Sequence, residues 1–442
     1  WVMETDDVNI KSIYFNSSVS EFQELLYRFI QYKDVNELFN ELKDEHIDQA
    51  KNQIYSNRHG LAALEGNGSV VIWDNPEYDF RHQGVLEFES NMPRSIAKEQ
   101  ALKDSRDVIK IYSNERAFAA LKQNGSVVTW GHPYEGGDSR VYNDNKNVDS
   151  YSPGGIRGDG NILSDVVKIY SSSTAFAALK TNGSVVTWGD EYYGGDSRLN
   201  VNSGIWGGGD ITDGVVKVYS NRYAFVALKN NGSIVTWGSS DKGGDSRPYD
   251  DENNPHGIRG DGDISPSKVV DVVSVFRAFA GLKEDGSIVV WGNMAYLDNW
   301  SDIKHLVKPT PDIKVTKIYS NDFAFAALKS DGSVVTWGLP GDGGNSDEIA
   351  PLLRPSTDEE KTNFQGKEVV KIYSNQRAFA ALRSDGSVVT WGDYPFGGDS
   401  RPGRFYGTRN SGDISVSDPK KKVVKIYSTY RAFAALRSDG SV

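Results

Sequence analysis

Gly-Gly-Asp-Ser-Arg occurs four times in this chain, setting Asp138 with Arg140, Asp196 with Arg198, Asp245 with Arg247 and Asp399 with Arg401, a carboxylate and a guanidinium two residues apart. A rim of such pairs could read a charged partner. The same residue types also suit a purely structural turn, in which Gly-Gly permits the bend, Asp and Ser side chains bond nearby amides, and Arg meets an acidic neighbour. Motif residues copied into most units of an array hold the units together, and that role is expected here. The inserts that follow vary more and are expected to protrude, where function concentrates. Two carry Arg-Gly-Asp, at Arg157 to Asp159 and Arg259 to Asp261, a short tripeptide that resembles an integrin ligand, and one carries Trp206 among glycines. Asp261-Gly-Asp263 places hard oxygen donors at alternate positions, as calcium loops do, but no bidentate Glu follows, so solvated Asx turns are expected and no metal ligand is assigned.

Catalytic chemistry has little to stand on. The histidines His46, His59, His82, His132, His256 and His305 do not recur in register and form no HExxH or His-x-His set. No Gly-x-Ser-x-Gly elbow and no phosphate-cradling glycine loop appears, and with no cysteine, thiolate sites and disulfides are excluded. The reading is of a protein that is not an enzyme, with no catalytic residue and no cofactor.

The elements that carry these turns come from a repeat. Asn-Gly-Ser or Asp-Gly-Ser recurs at Gly68, Gly125, Gly183, Gly232, Gly286, Gly332, Gly386 and Gly440, about 46 to 58 residues apart, within the range of propeller units. Each is preceded by a strand pattern such as Ala175-Phe-Ala-Ala-Leu and followed by one such as Val185-Val-Thr-Trp188-Gly. Asn-Gly between apolar runs predicts a tight hairpin, because a two-residue turn needs positive φ at its centre. Taking Asn124 and Gly125 as that turn sets Leu121 opposite Val128 and Ala119 opposite Trp130. Both faces of the hairpin are apolar, so the sheets must stack on copies of themselves, as propeller blades do. Trp73, Trp130, Trp188, Trp237, Trp291, Trp337 and Trp391 mark seven units as complete, and the eighth stops two residues after Gly440. Trp1-Val-Met could complete its last strand and close an eight-bladed ring; a seven-bladed ring with a half unit is the alternative. The organisation expected is N-terminal strand residues over 1–15, two short helices over 16–50, from the capping pairs Ser18/Glu21 and Asp34/Glu37, and propeller repeats over 51–442.

The wording Leu-Lys-x-Asp/Asn-Gly-Ser-Val-Val-Thr-Trp-Gly resembles the regulator of chromosome condensation (RCC1-like) repeat family over roughly residues 52 to 442. That resemblance implies an all-β, RCC1-like β-propeller of seven or eight blades, here with a short N-terminal helical insertion. Members act as a guanine nucleotide exchanger, as arms of ubiquitin ligases, as a plant ultraviolet-B receptor and as a secreted β-lactamase inhibitor, and most present loops to a protein partner. The family's Gly-x-x-His before the middle strand is replaced by segments such as Asn114-Glu-Arg-Ala, and its Gly-Gln-Leu-Gly after the Trp by Gly-Gly-Asp-Ser-Arg. No position can be assigned to an exchange wedge, and the photoreceptor's Trp-Arg cluster is not visible. The variant wording is similar to arrays in large bacterial and protist proteins of surface, secreted or toxin type.

Function is therefore expected in a protein-interaction module of a larger secreted or cell-surface protein, binding a protein partner or other domains of the parent chain. Guanine nucleotide exchange and a glycan- or calcium-dependent adhesin are the alternatives. The start at Trp1 and the stop inside a repeat are those expected of a piece of a longer protein. A formal net charge of -11 works against a nucleic-acid partner, and no apolar run reaches the roughly 18 residues of a membrane span. The fifth unit departs furthest from the repeat, with Asn293-Met-Ala-Tyr-Leu-Asp-Asn-Trp300 in place of the glycine motif. Tyr296 and Trp300 are the contact anchors expected there, since interface hot spots favour such side chains.

Overall fold

The computed structural model describes residues 53–58, 60–74, 106–137, 139, 162, 164–197, 205–207, 211–246, 268–293, 296, 299–354, 358–398 and 421–442. Their strands form eight antiparallel sheets in chain order. Blade 1 is Gln53–Ser56, Gly60–Leu64 and Val70–Asp74, blade 2 is Val108–Ser113, Ala117–Lys122 and Val127–Gly131, and blade 3 is Val166–Ser171, Ala175–Lys180 and Val185–Gly189. Blade 4 is Val215–Ser220, Ala224–Lys229 and Ile234–Ser239, with Ile205–Gly207 as a fourth strand outside the last. Blades 5, 6 and 7 are Val269–Val275, Ala278–Lys283 and Ile288–Gly292, then Val315–Ser320, Ala324–Lys329 and Val334–Gly338, then Val369–Ser374, Ala378–Arg383 and Val388–Gly392. Blade 8 has Val423–Ser428 and Phe433–Arg437. The predicted helices over 16–50 and the Trp1-Val-Met strand lie outside the described residues.

The hairpin differs by one residue from the two-residue turn read from the sequence. Leu121 pairs with Val127, Ala119 with Thr129 and Phe118 with Trp130. Gly125 carries φ +77°, whereas Asn124 is not among the positive-φ residues. The loop is therefore three residues long, a type I turn ending in a left-handed glycine. Asn124 Oδ1 accepts the Ser126 amide at 2.9 Å and its hydroxyl at 2.7 Å, which holds the turn without positive φ at the asparagine. A Cβ on Gly125 would lie 2.7 Å from the Asp165 backbone nitrogen, so the turn also sets how closely the next blade approaches. The extra residue exchanges the faces assigned on either side of the turn. Phe and Trp consequently share a face and stack, with centroids 5.2 Å apart in blade 2 and 5.3 Å in blade 3.

Small opposite large does occur, but between blades. Ala117, Ala119 and Leu121 face Ile169, Phe176, Ala178 and Trp188 of blade 3, while Phe118, Ala120 and Trp130 face Ala62 and Leu64 of blade 1. The middle strand thus offers its alanine side to the following blade and its phenylalanine side to the preceding one. Burying each large side chain favours this packing by about 1.5–3 kcal/mol. Along the inner strand, a register shift between Val166 and Lys168 breaks the alternation, leaving Val167 exposed while Val166 and Ile169 are both buried.

From blade 2 to blade 7 each inner strand touches the inner strands of both neighbours, which makes the arrangement radial. Three seams join successive blades. Serines at the inner-strand ends donate to the carbonyl of the preceding blade's serine, as in Ser171 to Ser113 at 3.0 Å and Ser220 to Ser171 at 2.8 Å. Turn tips join through backbone bonds, Glu115 N–H to Ser173 O and Ser173 N–H to Arg222 O at 3.0 Å each. The hairpin glycine carbonyl accepts from the first residue of the next inner strand, as Gly125 does from Val166 at 3.0 Å. These sheets are the blades of a β-propeller.

Candidate interaction face

The inner and middle strands of a blade are joined by a short turn whose first residue is usually Asn. Asn114 Oδ1 accepts the amides of Arg116 and Ala117, and its Nδ2 donates to the Glu135 carbonyl at 2.6 Å. Asn221, Asn321 and Asn375 repeat the bridge to Lys242, Asp342 and Phe396, and Ser172 substitutes in blade 3. The carbonyls belong to 3-10 turns after the outer strand, such as Pro133–Glu135 and Glu191–Tyr193, each ended by a left-handed glycine. Turn tips and 3-10 turns therefore form one face of the propeller.

The Gly-Gly-Asp-Ser-Arg motif begins at those glycines and locks blade to blade. Gly136, Gly194, Gly243 and Gly343 accept the indole N–H of Trp188, Trp237, Trp291 and Trp391 from the following blade, at 3.1 to 3.2 Å. A Cβ on Gly194 would stand 2.5 Å from the Phe225 ring, at φ +99°. The motif serines meet outer-strand threonines, with Ser139 to Thr129 at 2.9 Å. Asp196 and Asp245 are buried.

Blade 5 is built differently. Val275 stands where its neighbours carry Asn, and no glycine motif follows its outer strand. The short helix Trp300–Ile303 fills the place, with Trp300 only 4% exposed and 5.1 Å from Trp337. Asn299 clamps blade 6, donating to Gly344 O at 2.9 Å and accepting from Gly338 N at 3.1 Å. The Trp337 indole N–H, lacking the usual glycine carbonyl, is buried without a partner, as is that of Trp130, which follows the other blade without the motif. Trp300 is thus an internal plug, and Tyr296 stands half-buried at the surface.

Around Tyr296 the face carries a continuous set of rings. Tyr193 meets Tyr223 at 5.3 Å, Tyr223 meets Phe276 edge-on at 5.6 Å, and Phe276, Tyr296 and Phe323 lie 6.1 to 6.4 Å from one another. The Arg277 guanidinium lies 5.5 to 5.9 Å from Tyr223, Phe276 and Tyr296, and that of Arg222 5.1 Å from Phe276. Such contacts each contribute about 0.5–2 kcal/mol. Other arginines of the face meet acids: Arg116 bonds Glu135 at 3.0 Å and Arg377 reaches Asp342 and Asp393 at 3.6 Å, and Arg222 also pairs with Glu115. Burial raises the Glu135 and Asp342 carboxyls above their ordinary values, opposed by Arg116 and Arg377 respectively.

Against known proteins, no family profile matches the chain. No curated protein matches it either. Among solved structures it is similar to human WBSCR16, at 16% identity over 74% of this chain and 87% of that one, TM-score 0.38. It is similar to the structure of Kap60 bound to yeast RCC1 (Prp20), at 14% identity over 88% and 80%, TM-score 0.37. Prp20p from Saccharomyces cerevisiae, described with its binding to Gsp1p and histones, matches at 14% over 74% and 80%, TM-score 0.35. Radial sheets joined through an Asp/Asn-Gly hairpin and a Trp-Gly outer strand decide the architecture. The fold is an RCC1-like β-propeller.

In this RCC1-like propeller the predicted residues separate. Tyr296 lies on the ringed face, Trp300 inside, Trp206 on the fourth strand of blade 4 and Trp73 on the outer strand of blade 1. Arg157, Asp159, Arg259 and Asp261, with Asp138, Asp399 and the motif arginines Arg140, Arg198, Arg247 and Arg401, lie outside the described residues. Sequence reasoning did not select Tyr223, Phe276, Arg277 or Phe323. Their signal was available: between fixed flanks the turn tips read Glu115-Arg116, Ser173-Thr174, Arg222-Tyr223, Phe276-Arg277 and Asp322-Phe323, variable residues within a copied frame.

Proposed function

We propose that this RCC1-like propeller is a non-enzymatic interaction module that receives a protein partner on its turn-tip face, centred on blade 5, within a larger secreted or surface protein of the kind its repeat wording resembles. The observation that carries this reading is the cluster of Tyr193, Tyr223, Phe276, Tyr296 and Phe323 with two guanidiniums, at the place where one blade has given up the motif its neighbours use for packing. Aromatic and arginine side chains are those that dominate binding energy at interfaces. A half-buried ring cluster carried on rigid hairpins also loses little conformational freedom on docking.

The test is quantitative capture of partners by the native chain, by a Phe276→Ala/Tyr296→Ala variant, and by a Lys180→Ala/Lys229→Ala variant altered at the opposite, hairpin-turn end of the blades. All three are compared at matched thermal stability. Partners lost with the first variant and kept by the second support the reading. Partners kept by the first, or lost only with the second, overturn it.

A further inference from the structure

Among the described residues, the acid–arginine pairs on the turn-tip face share one architectural source: a carboxylate at a turn tip or at the 3-10 turn after an outer strand. Glu135 serves Arg116, Asp342 and Asp393 serve Arg377, and Glu115 serves Arg222. Blade 5 keeps this turn, with Tyr296 N–H bonding Asn293 O at 3.0 Å as Glu135 N–H bonds His132 O in blade 2, but the positions that hold Glu135 and Asp393 in blades 2 and 7 hold Tyr296 and Asn293 in blade 5. The nearest equivalent acid on blade 4, Asp241, is engaged by Lys242 at 2.9 Å and by Ser239 at 2.8 Å. Arg277 is left as a half-buried guanidinium that meets no carboxylate among the described residues. Its Nε is buried without an acceptor, and three rings surround it at 5.5 to 5.9 Å.

That arrangement is specific. Rings orient the guanidinium plane and exclude water from its faces, while leaving N–H donors that match a carboxylate in a two-point fork. Lys242 lies 5.1 Å from the Tyr223 ring and Arg222 5.1 Å from Phe276, so cations flank the position. An anion placed there would stand to Arg277 as Glu135 stands to Arg116 and Asp342 to Arg377. Arg431 of blade 8 also sits on aromatic rings, 5.4 Å from Phe396 and 5.8 Å from Tyr430, but it is exposed and solvated.

We infer that Arg277 is a carboxylate receptor, and that the segment docking on this face is an acidic peptide whose Asp or Glu side chain forks onto Arg277 while an adjacent apolar residue packs on Phe276 and Phe323. The inference rests on the proposed use of the face and adds the chemistry of the partner.

It is tested by selecting from a displayed random dodecapeptide library on the intact chain and measuring selected peptides by fluorescence anisotropy. Expected are peptides enriched in Asp or Glu beside an apolar residue. Their affinity should fall about tenfold or more in Arg277→Gln and on changing the peptide acid to its amide, less in Arg277→Lys, and not in Arg431→Gln. Each variant is first matched to the native chain in melting temperature; should Arg277→Gln fail to match, Arg277→Lys with the amide peptides decides. Peptides without acids that are lost in Phe276→Ala but unchanged in Arg277→Gln keep the face and overturn the receptor. Peptides indifferent to Phe276, Tyr296 and Arg277 alike overturn both.

Discussion

The glycine of each packing motif is fixed twice, by its left-handed backbone and by the ring against it. Gly194→Ala is expected to cost about 1–3 kcal/mol through strain at φ +99° and contact with Phe225, read as a lowered denaturant midpoint. The indole bond separates from indole packing by comparing two blades. Trp237→Phe orphans the Gly194 carbonyl and should cost about 1–3 kcal/mol more than Trp337→Phe, whose N–H has no partner to lose. Equal losses would remove the hydrogen bond from the account. Asp190 shows the electrostatic side of the same turn. Its carboxylate caps the 3-10 turn, accepting from Tyr192 N at 2.9 Å, yet burial raises its pKa above the ordinary value. The folded state therefore binds the proton more tightly than the unfolded chain, so this group's contribution is full below the ordinary carboxylate value and falls as pH rises through the raised one. Asp190→Asn keeps an acceptor for the cap and should flatten the stability profile across that interval. An unchanged slope would mean that Asp190 does not govern it.

At the scale of the element, blade 5 shows how one repeat can be rebuilt without losing its place. Blade 5 keeps the 3-10 bond from Tyr296 N–H to Asn293 O, but it carries Val275 in place of the bridging Asn and no Gly-Gly after the turn. Val275, Trp300 and Val307 form the apolar replacement, packed on blade 6. Trp300→Ala should open a cavity beside Trp337 and cost about 3–5 kcal/mol by calorimetry or denaturation. Tyr296→Ala, in the same insert but at the surface, should change stability much less and reduce partner capture. The reverse ranking would place the plug and the contact on the opposite residues. The hairpin carries a second lesson of this scale. Asn-Gly announces a turn, but whether two or three residues form it depends on which of them takes positive φ, and only glycine does so here.

For the whole molecule, stability is a sum of blades and the seams between them, so it varies along the chain. Ile54 of blade 1 is 72% exposed, whereas the equivalent Ile111, Ile169 and Ile372 are 1 to 2% exposed against a preceding blade. The middle strand Phe433–Arg437 of blade 8 is likewise half-buried to exposed where Ala175–Lys180 is buried. Amides of 433–437 should exchange hydrogen faster than those of 175–180, and equal protection would mean that those faces are covered in solution. The sequence by itself determined the repeat, the hairpins, the two apolar faces and hence the stacking of blades, because these follow from period-two alternation and turn chemistry, which are local. It also marked blade 5 as the exception. Only the tertiary structure decided that Phe faces Trp within a blade and alanine faces them between blades, since a single turn residue shifts the whole register. Only it decided that Trp300 is buried while Phe276, Arg277, Tyr296 and Phe323 meet. Phe323 comes from blade 6 and the other three from the turn tip and the insert of blade 5, and their proximity is set by the seam that bonds Phe276 N–H to Asp322 O at 2.7 Å, a relation no local pattern encodes.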